Sequence, residues 1–184
     1  MREVVDAKRV HAFMRALGAE ANEEAVAYLT GGTTAVLVGW RATTVDVDLK
    51  LVPESERLLR AIVRLKDELG VNVELASPAE FIPVAEGWEE RSPYVAREGT
   101  LTFRHFDPIA QALAKLERGH ARDLADVRAL IEHGLVSESE LLSFFEQIEP
   151  ELYRFPAIDA TAFRRRVELS VHERSPGARE FAGR

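Results

Sequence analysis

Asp46 and Asp48 stand two residues apart in a segment that alternates strictly, with Thr44, Asp46, Asp48 and Lys50 on one side and Val45, Val47, Leu49 and Leu51 on the other. As a strand, this segment places both carboxylates on one face with Cα atoms roughly 6.5–7 Å apart. That spacing suits two oxygen ligands converging on a hard cation. The apolar residues bury the opposite face, so the aspartates are not loop residues. A face that simply meets solvent would show the same alternation, and Thr44 and Lys50 fit it. Upstream, Gly31-Gly32 closes an apolar run and opens a short helix. Free backbone N–H groups of such a turn can approach phosphate oxygens, with the Thr33 and Thr34 hydroxyls as further donors. Downstream, Glu74 lies on the polar face of the next strand, where parallel or antiparallel pairing could set it beside the aspartates. Three carboxylates held together repel one another unless cations neutralise them.

The elements that must position these groups follow from periodicity. Val10, Phe13, Met14 and Leu17 recur at helical spacing, which predicts a helix from about Val4 to Leu17 that stops near Gly18. Ala25–Thr30 reads as a strand, the glycines as a tight turn and the residues to Val38 as a short helix. Thr44–Leu51 is the clearest strand. Pro53 opens a helix carrying Leu58, Leu59, Ile62, Val63 and Leu69 on one face and ending at Gly70. Val71–Leu75 is the next strand, with Val71, Val73 and Leu75 inward and Asn72 and Glu74 on the polar side. Tyr94–Arg97 and Thr100–Phe106 form a hairpin around Glu98-Gly99.

The rest is helical. Asp107-Pro108 is an N-cap with proline at the first position, followed by the buried stripe Ile109, Leu113 and Leu116. A second helix carries Leu124, Val127, Leu130 and Ile131 and stops at Gly134. Ser137 and Glu140 make the capping box of a third, and a fourth runs from Asp159 to about His172. The expected architecture is α/β (α+β): a mixed sheet with flanking helices over residues 1–106, and a helical region over 107–184 packed on it.

Composition narrows the chemistry further. The 184 residues include no cysteine, so a metal must be held by oxygen or imidazole, and the five histidines show no ligand-spaced pair. A net charge of −7 argues against a protein that coats nucleic acid by charge alone. From Asp159 to Arg184 six arginines face four acids, a local +2 that leaves −9 elsewhere. Such an end could meet a polynucleotide, or could simply be solvated. There is no run of 18 apolar residues and no signal-peptide plan at Met1-Arg2-Glu3, so a cytoplasmic protein without a membrane span is expected.

Gly31-Gly32, then Asp46-Val47-Asp48-Leu49, then Glu74 on the following strand resembles the motif of the polymerase-β-type nucleotidyltransferase superfamily. The stretch from Leu29 to Leu49, with Asp107-Pro108 through Ala114-Lys115-Leu116 and Arg122-Asp123-Leu124-Ala125-Asp126-Val127, is similar to the AbiEii-like branch, which includes toxins of toxin–antitoxin systems. The resemblance spans most of residues 25–133. It implies transfer of a nucleoside monophosphate from an NTP, dependent on Mg²⁺ or Mn²⁺, to an RNA acceptor such as tRNA or to a protein, with an antitoxin as a further partner. Asp46, Asp48 and Glu74 would bind metal, and Glu74 could instead orient and deprotonate the acceptor hydroxyl. Gly31, Gly32, Thr33 and Thr34 would hold the triphosphate, Lys115 would neutralise its outer phosphates, and Arg41, Asp123 and Asp126 would complete the nucleotide side.

Blander readings stand beside these. Lys115 sits about 120° from the apolar stripe of its helix, where a solvent-facing lysine is equally natural. Arg122 and Asp126 are an i,i+4 pair of the kind that usually contributes about 0.3–0.5 kcal/mol on an exposed face, and Asp123 suits an N-cap. Trp40 and Trp88 could stack on a base or pack in the core. Arg164-Arg165-Arg166 could dock a tRNA or face water. A glycosyltransferase that holds a metal diphosphate on a DxD, and a catalytically inert nucleotide-binding or partner-binding module, remain as alternatives.

Overall fold

A five-stranded sheet in the order β5-β4-β2-β7-β6 forms the frame, with β2 (Ala25–Thr30) at its centre, flanked by β4 (Asp46–Val52) and β7 (Leu101–His105) and edged by β5 (Asn72–Leu75) and β6 (Tyr94–Glu98). The computed structural model describes residues 4–172. The arginines expected at positions 174, 179 and 184 of the basic end lie outside the described residues. β2 runs antiparallel to β4 and parallel to β7, so the sheet is mixed. Its central place explains its unbroken apolar run, since both faces are covered.

On one face, α1 (Ala7–Glu20) and α3 (Glu56–Glu68) pack Phe13, Met14, Leu17, Leu58, Ile62 and Leu65 against Val47, Leu49 and Leu51 of β4. The alternation of β4 therefore sends Asp46, Asp48 and Lys50 to the other face. That face is covered by α4 (Pro108–Arg118), which two residues separate from β7 and which the Asp107 carboxylate caps, accepting from the Ile109 N–H at 2.9 Å. α4 also belongs to a second core, formed with α5 (Ala121–Glu132), α6 (Glu138–Ile148) and α7 (Ala160–His172) around Leu113, Leu116, Leu130, Phe145 and Phe163. The Ser137–Glu140 capping box opens α6 as expected. No helix among the described residues is long and apolar enough to cross a membrane.

Several local expectations are corrected. The first helix begins at Ala7 because Asp6 caps it, and Val5–Asp6 forms a short strand β1 paired with β3 (Thr43–Thr44). α1 also continues through Gly18, which is buried where Glu98 of β6 lies against the helix. The alternating strand divides at Val45: Thr44 is buried in the β1–β3 pair, while Val45 is exposed. Pro53 does not open α3, which Ser55 caps two residues later. Leu75, expected inward, is 50% exposed because it ends an edge strand beyond the cover of the core that holds Val71 and Val73.

Candidate active site

The pairing of β4 with β5 is parallel, and its register sets Asp46 opposite Asn72 and Asp48 opposite Glu74. Equivalent positions on parallel neighbours project to the same face, so the three carboxylates share one wall of a cleft of about 260 Å³. Asn72 completes this row. Its side-chain amide donates to Asp46 Oδ1 and, at 3.5 Å, to Glu74 Oε1.

The glycine turn abuts the row. Gly31 opens α2 (Gly31–Val38) with a φ of +60°, and a Cβ there would stand 2.6 Å from Asp48 Oδ2. Only a residue without a side chain lets the aspartate carboxylate lie so close to this backbone. A Cβ on Gly32 would meet Thr44 Oγ1 at 2.1 Å, so the second glycine is required by the packing of α2 on β3. The Gly31 N–H donates to Gln111 Oε1 of α4 at 3.0 Å. Thr33 and Thr34 are fully buried and their hydroxyls are engaged inside the protein. Thr33 Oγ1 accepts from the Asp48 N–H at 3.0 Å, and Thr34 Oγ1 donates to the Leu29 carbonyl at 3.2 Å. Thr34 also meets the His105 ring at 3.1 Å. Gly31 lines the cleft, whereas Gly32, Thr33 and Thr34 form its foundation.

α4 brings the positive charge. Lys115 is 5% exposed yet lines the cleft, so the solvent-facing reading does not hold. A buried ammonium needs partners, and α5 supplies them. Lys115 Nζ lies 2.6 Å from Asp126 Oδ2 and 3.7 Å from Asp123 Oδ1. Asp126 does not pair with Arg122, which is exposed. It accepts from Lys115, from Arg41 at 2.5 Å and from the Trp40 indole at 3.1 Å. Asp123 lies inside α5 rather than at its cap, and both its oxygens receive Arg118, at 2.6 and 3.2 Å. Arg41, Asp123 and Asp126 thus stand behind Lys115 and Arg118 rather than on the cleft surface.

Electrostatics singles out one group. The Asp48 carboxyl is pushed up to about 7, first by burial and then by the charges of Asp46 and Glu74, with Lys115 and Arg118 only partly opposing. Those two cations are already paired with Asp126 and Asp123. Among the described residues, no three carboxylates or imidazoles stand so that they could hold a metal ion between them. One or two of these carboxylates would be enough for Mg²⁺ or Mn²⁺ if substrate phosphates and water completed the shell.

Residues 7–149 match the model of a family described as nucleotidyltransferase of unknown function (DUF6036). The chain belongs to this family. No curated protein and no solved structure matches it. The matched span runs from α1 to the end of α6 and so contains the whole carboxylate cleft. A larger cavity of about 350 Å³ lies between α4, α5 and α7, but its lining is mostly leucine, isoleucine and valine with Arg128 and Arg166, and it holds no carboxylate. Of these two cavities, only the smaller is lined by carboxylates.

Other sequence candidates fall elsewhere. Trp88 stacks on Phe106 at 4.4 Å between ring centroids, and Trp40 packs near His133, so neither lines the cleft. Arg164 is taken up by Glu149 and Glu168, and Arg166 donates to the Leu116 and Glu117 carbonyls at the end of α4, leaving Arg165 as the exposed member of the trio. The cleft also contains Gln111, Arg118, Ser77, Pro78 and Phe81, which motif and periodicity did not single out. Gln111 carried no such signal, since it lies on the side of α4 opposite the Ile109, Leu113 and Leu116 stripe, where a polar residue is ordinary.

Proposed function

We propose that this nucleotidyltransferase moves a nucleoside monophosphate from an NTP to an RNA or protein acceptor, using Mg²⁺ or Mn²⁺ held by Asp46, Asp48 and Glu74. One observation carries the reading: half-buried Asp48 stands beside Asp46 on β4 and opposite Glu74 on β5, and desolvation and then those two charges push its carboxyl up to about 7, against only partial opposition from Lys115 and Arg118. A structural carboxylate row has no reason to accept that repulsion, whereas a divalent ion removes it. When bound, such an ion supplies charge neutralisation and Lewis-acid polarisation of the phosphoryl oxygens.

The chain's residues provide the rest. Glu74, exposed at the sheet edge, completes the metal set or instead orients the acceptor hydroxyl and takes its proton. The acceptor oxygen bonds to the α-phosphorus as the bond from that phosphorus to the bridging oxygen breaks, and pyrophosphate leaves. Lys115 and Arg118 face the leaving phosphates, and the bare Cα of Gly31 leaves room for the Asp48 carboxylate beside the backbone. Asn72 holds the Asp46 carboxylate in place. The sequence similarity over residues 25–133 extends the proposal to an AbiEii-like toxin, working in the cytoplasm on tRNA or another acceptor and restrained by an antitoxin.

The test incubates the protein with each α-labelled NTP, Mg²⁺ or Mn²⁺, and total RNA or cell extract, beside an Asp46→Ala/Asp48→Ala control. Label on RNA or protein only with the intact chain is the expected result and names donor and acceptor. Equal labelling by the control would sink the proposal, and metal-dependent NTP binding without transfer would favour an inert binding module.

A further inference from the structure

One wall of the cleft has no task in the chemistry described so far. Beyond β5 the chain passes through Ser77 into a 3₁₀ turn, Pro78–Glu80, followed by Phe81, and Ser77, Pro78 and Phe81 all line the same cleft as Lys115 and Arg118. Phe81 is 47% exposed, whereas Phe103 and Phe106 are fully buried. Ser77 is the reverse case. It is 2% exposed, and its hydroxyl has no hydrogen-bond partner. The bonds that close the turn use the backbone: Glu80 accepts from the Ser77 N–H at 2.9 Å and the Glu80 N–H goes to the Ser77 carbonyl at 3.1 Å.

A buried hydroxyl left unpaired is costly, and a half-exposed ring at a cleft mouth gains little from packing. Both costs are relieved by a ligand with a flat aromatic face and polar edges. Carboxylates, two cations and an aromatic wall adjoin in one cleft, in the combination that a metal-bound triphosphate and its base require. We infer that Phe81 and Ser77 form the base-side subsite for the donor nucleotide: the Phe81 ring stacks on the nucleobase and the Ser77 hydroxyl hydrogen-bonds to the nucleoside. The inference rests on the nucleotidyltransferase reading above.

The experiment is calorimetric titration of the full chain, in Mg²⁺, with ATP, GTP, CTP, UTP and inorganic tripolyphosphate, repeated for Phe81→Ala, Phe81→Trp and Ser77→Ala. Loss of one base–aromatic stack should weaken the preferred NTP about ten-fold in Phe81→Ala. Tripolyphosphate affinity should not change, and Phe81→Trp should restore NTP binding. Ser77→Ala should narrow the preference among the four NTPs. Because half the ring is in water, Phe81→Ala should melt with the wild type. Equal weakening of NTP and tripolyphosphate, or of neither, overturns the subsite while leaving the phosphate and metal reading intact. Wild-type chain that binds neither ligand overturns both.

Discussion

Replacing Asp48 by Asn should stabilise the metal-free protein at alkaline pH while removing its cation site. An unperturbed carboxyl titrates near 3.8 and this one is pushed up to about 7. At 1.36 kcal/mol per pH unit that difference corresponds to roughly 4 kcal/mol against the charged form. The folded state holds the Asp48 proton over a window in which the unfolded chain has released it. Stability from this group is therefore fully present below about pH 4 and is lost as pH rises through about 7. His105 acts in the opposite sense: burial lowers it from 6.5 to about 4, so its stability is present above 6.5 and is lost as pH falls towards 4. The two slopes overlap, and a wild-type melting curve alone cannot separate them. The difference between wild type and Asp48→Asn can. In chelator, urea denaturation should find the variant more stable by about 2–4 kcal/mol at pH 8, with the gap closing towards pH 4. Added Mg²⁺ should raise the wild-type melting temperature more at pH 8 than at pH 5, and should leave the variant unmoved. A variant that is less stable than wild type at pH 8, or a gap independent of pH, would refute the claim that unrelieved charge resides at Asp48.

Two further outcomes follow from the contacts. Lys115→Ala should cost about 3 kcal/mol in urea denaturation, because it removes a buried partner of Asp126 and leaves Arg41 and Trp40 to hold that carboxylate; a loss below 1 kcal/mol would place Lys115 in solvent instead. Asn72→Leu should lower Mg²⁺ affinity about ten-fold in calorimetry, since the donor that orients Asp46 is lost, and unchanged affinity would make Asn72 a bystander.

The sheet's chemistry was legible because period two is unambiguous: Val47, Leu49 and Leu51 bury one face and so commit Asp46 and Asp48 to the other. Glu74 was legible as a candidate by the same rule. What alternation does not encode is pairing, and the parallel register that places Glu74 opposite Asp48 depends on the crossover through α3. Lys115 was ambiguous for a related reason. Its angle on α4 fits water or cleft equally, and the decision is made by Asp123 and Asp126 on a different helix. The threonines after the glycine turn misled, since their value as phosphate donors is local chemistry while their burial is set by β4 and His105. Ser77 and Phe81 lay in a stretch with no period at all, where only tertiary packing brings side chains to a site.

The charge balance of the cleft ties these observations together. Lys115, Arg118 and Arg41 bring +3, Asp123 and Asp126 bring −2, and Asp46, Asp48 and Glu74 bring −3, so the ionised cleft carries −2. A naked triphosphate would meet net repulsion there, and a free divalent ion would meet attraction. The buried acids of α5 hold Lys115 and Arg118 in position, but they also spend most of the charge that could draw phosphate unaided. Binding of nucleotide should accordingly require the cation, and the requirement should steepen as Asp48 loses its proton. In this arrangement Asp123 and Asp126 act through the cations they fix rather than through contact with nucleotide. Asp126→Asn should therefore change tripolyphosphate and NTP binding by the same factor in calorimetry, unlike a change at Phe81.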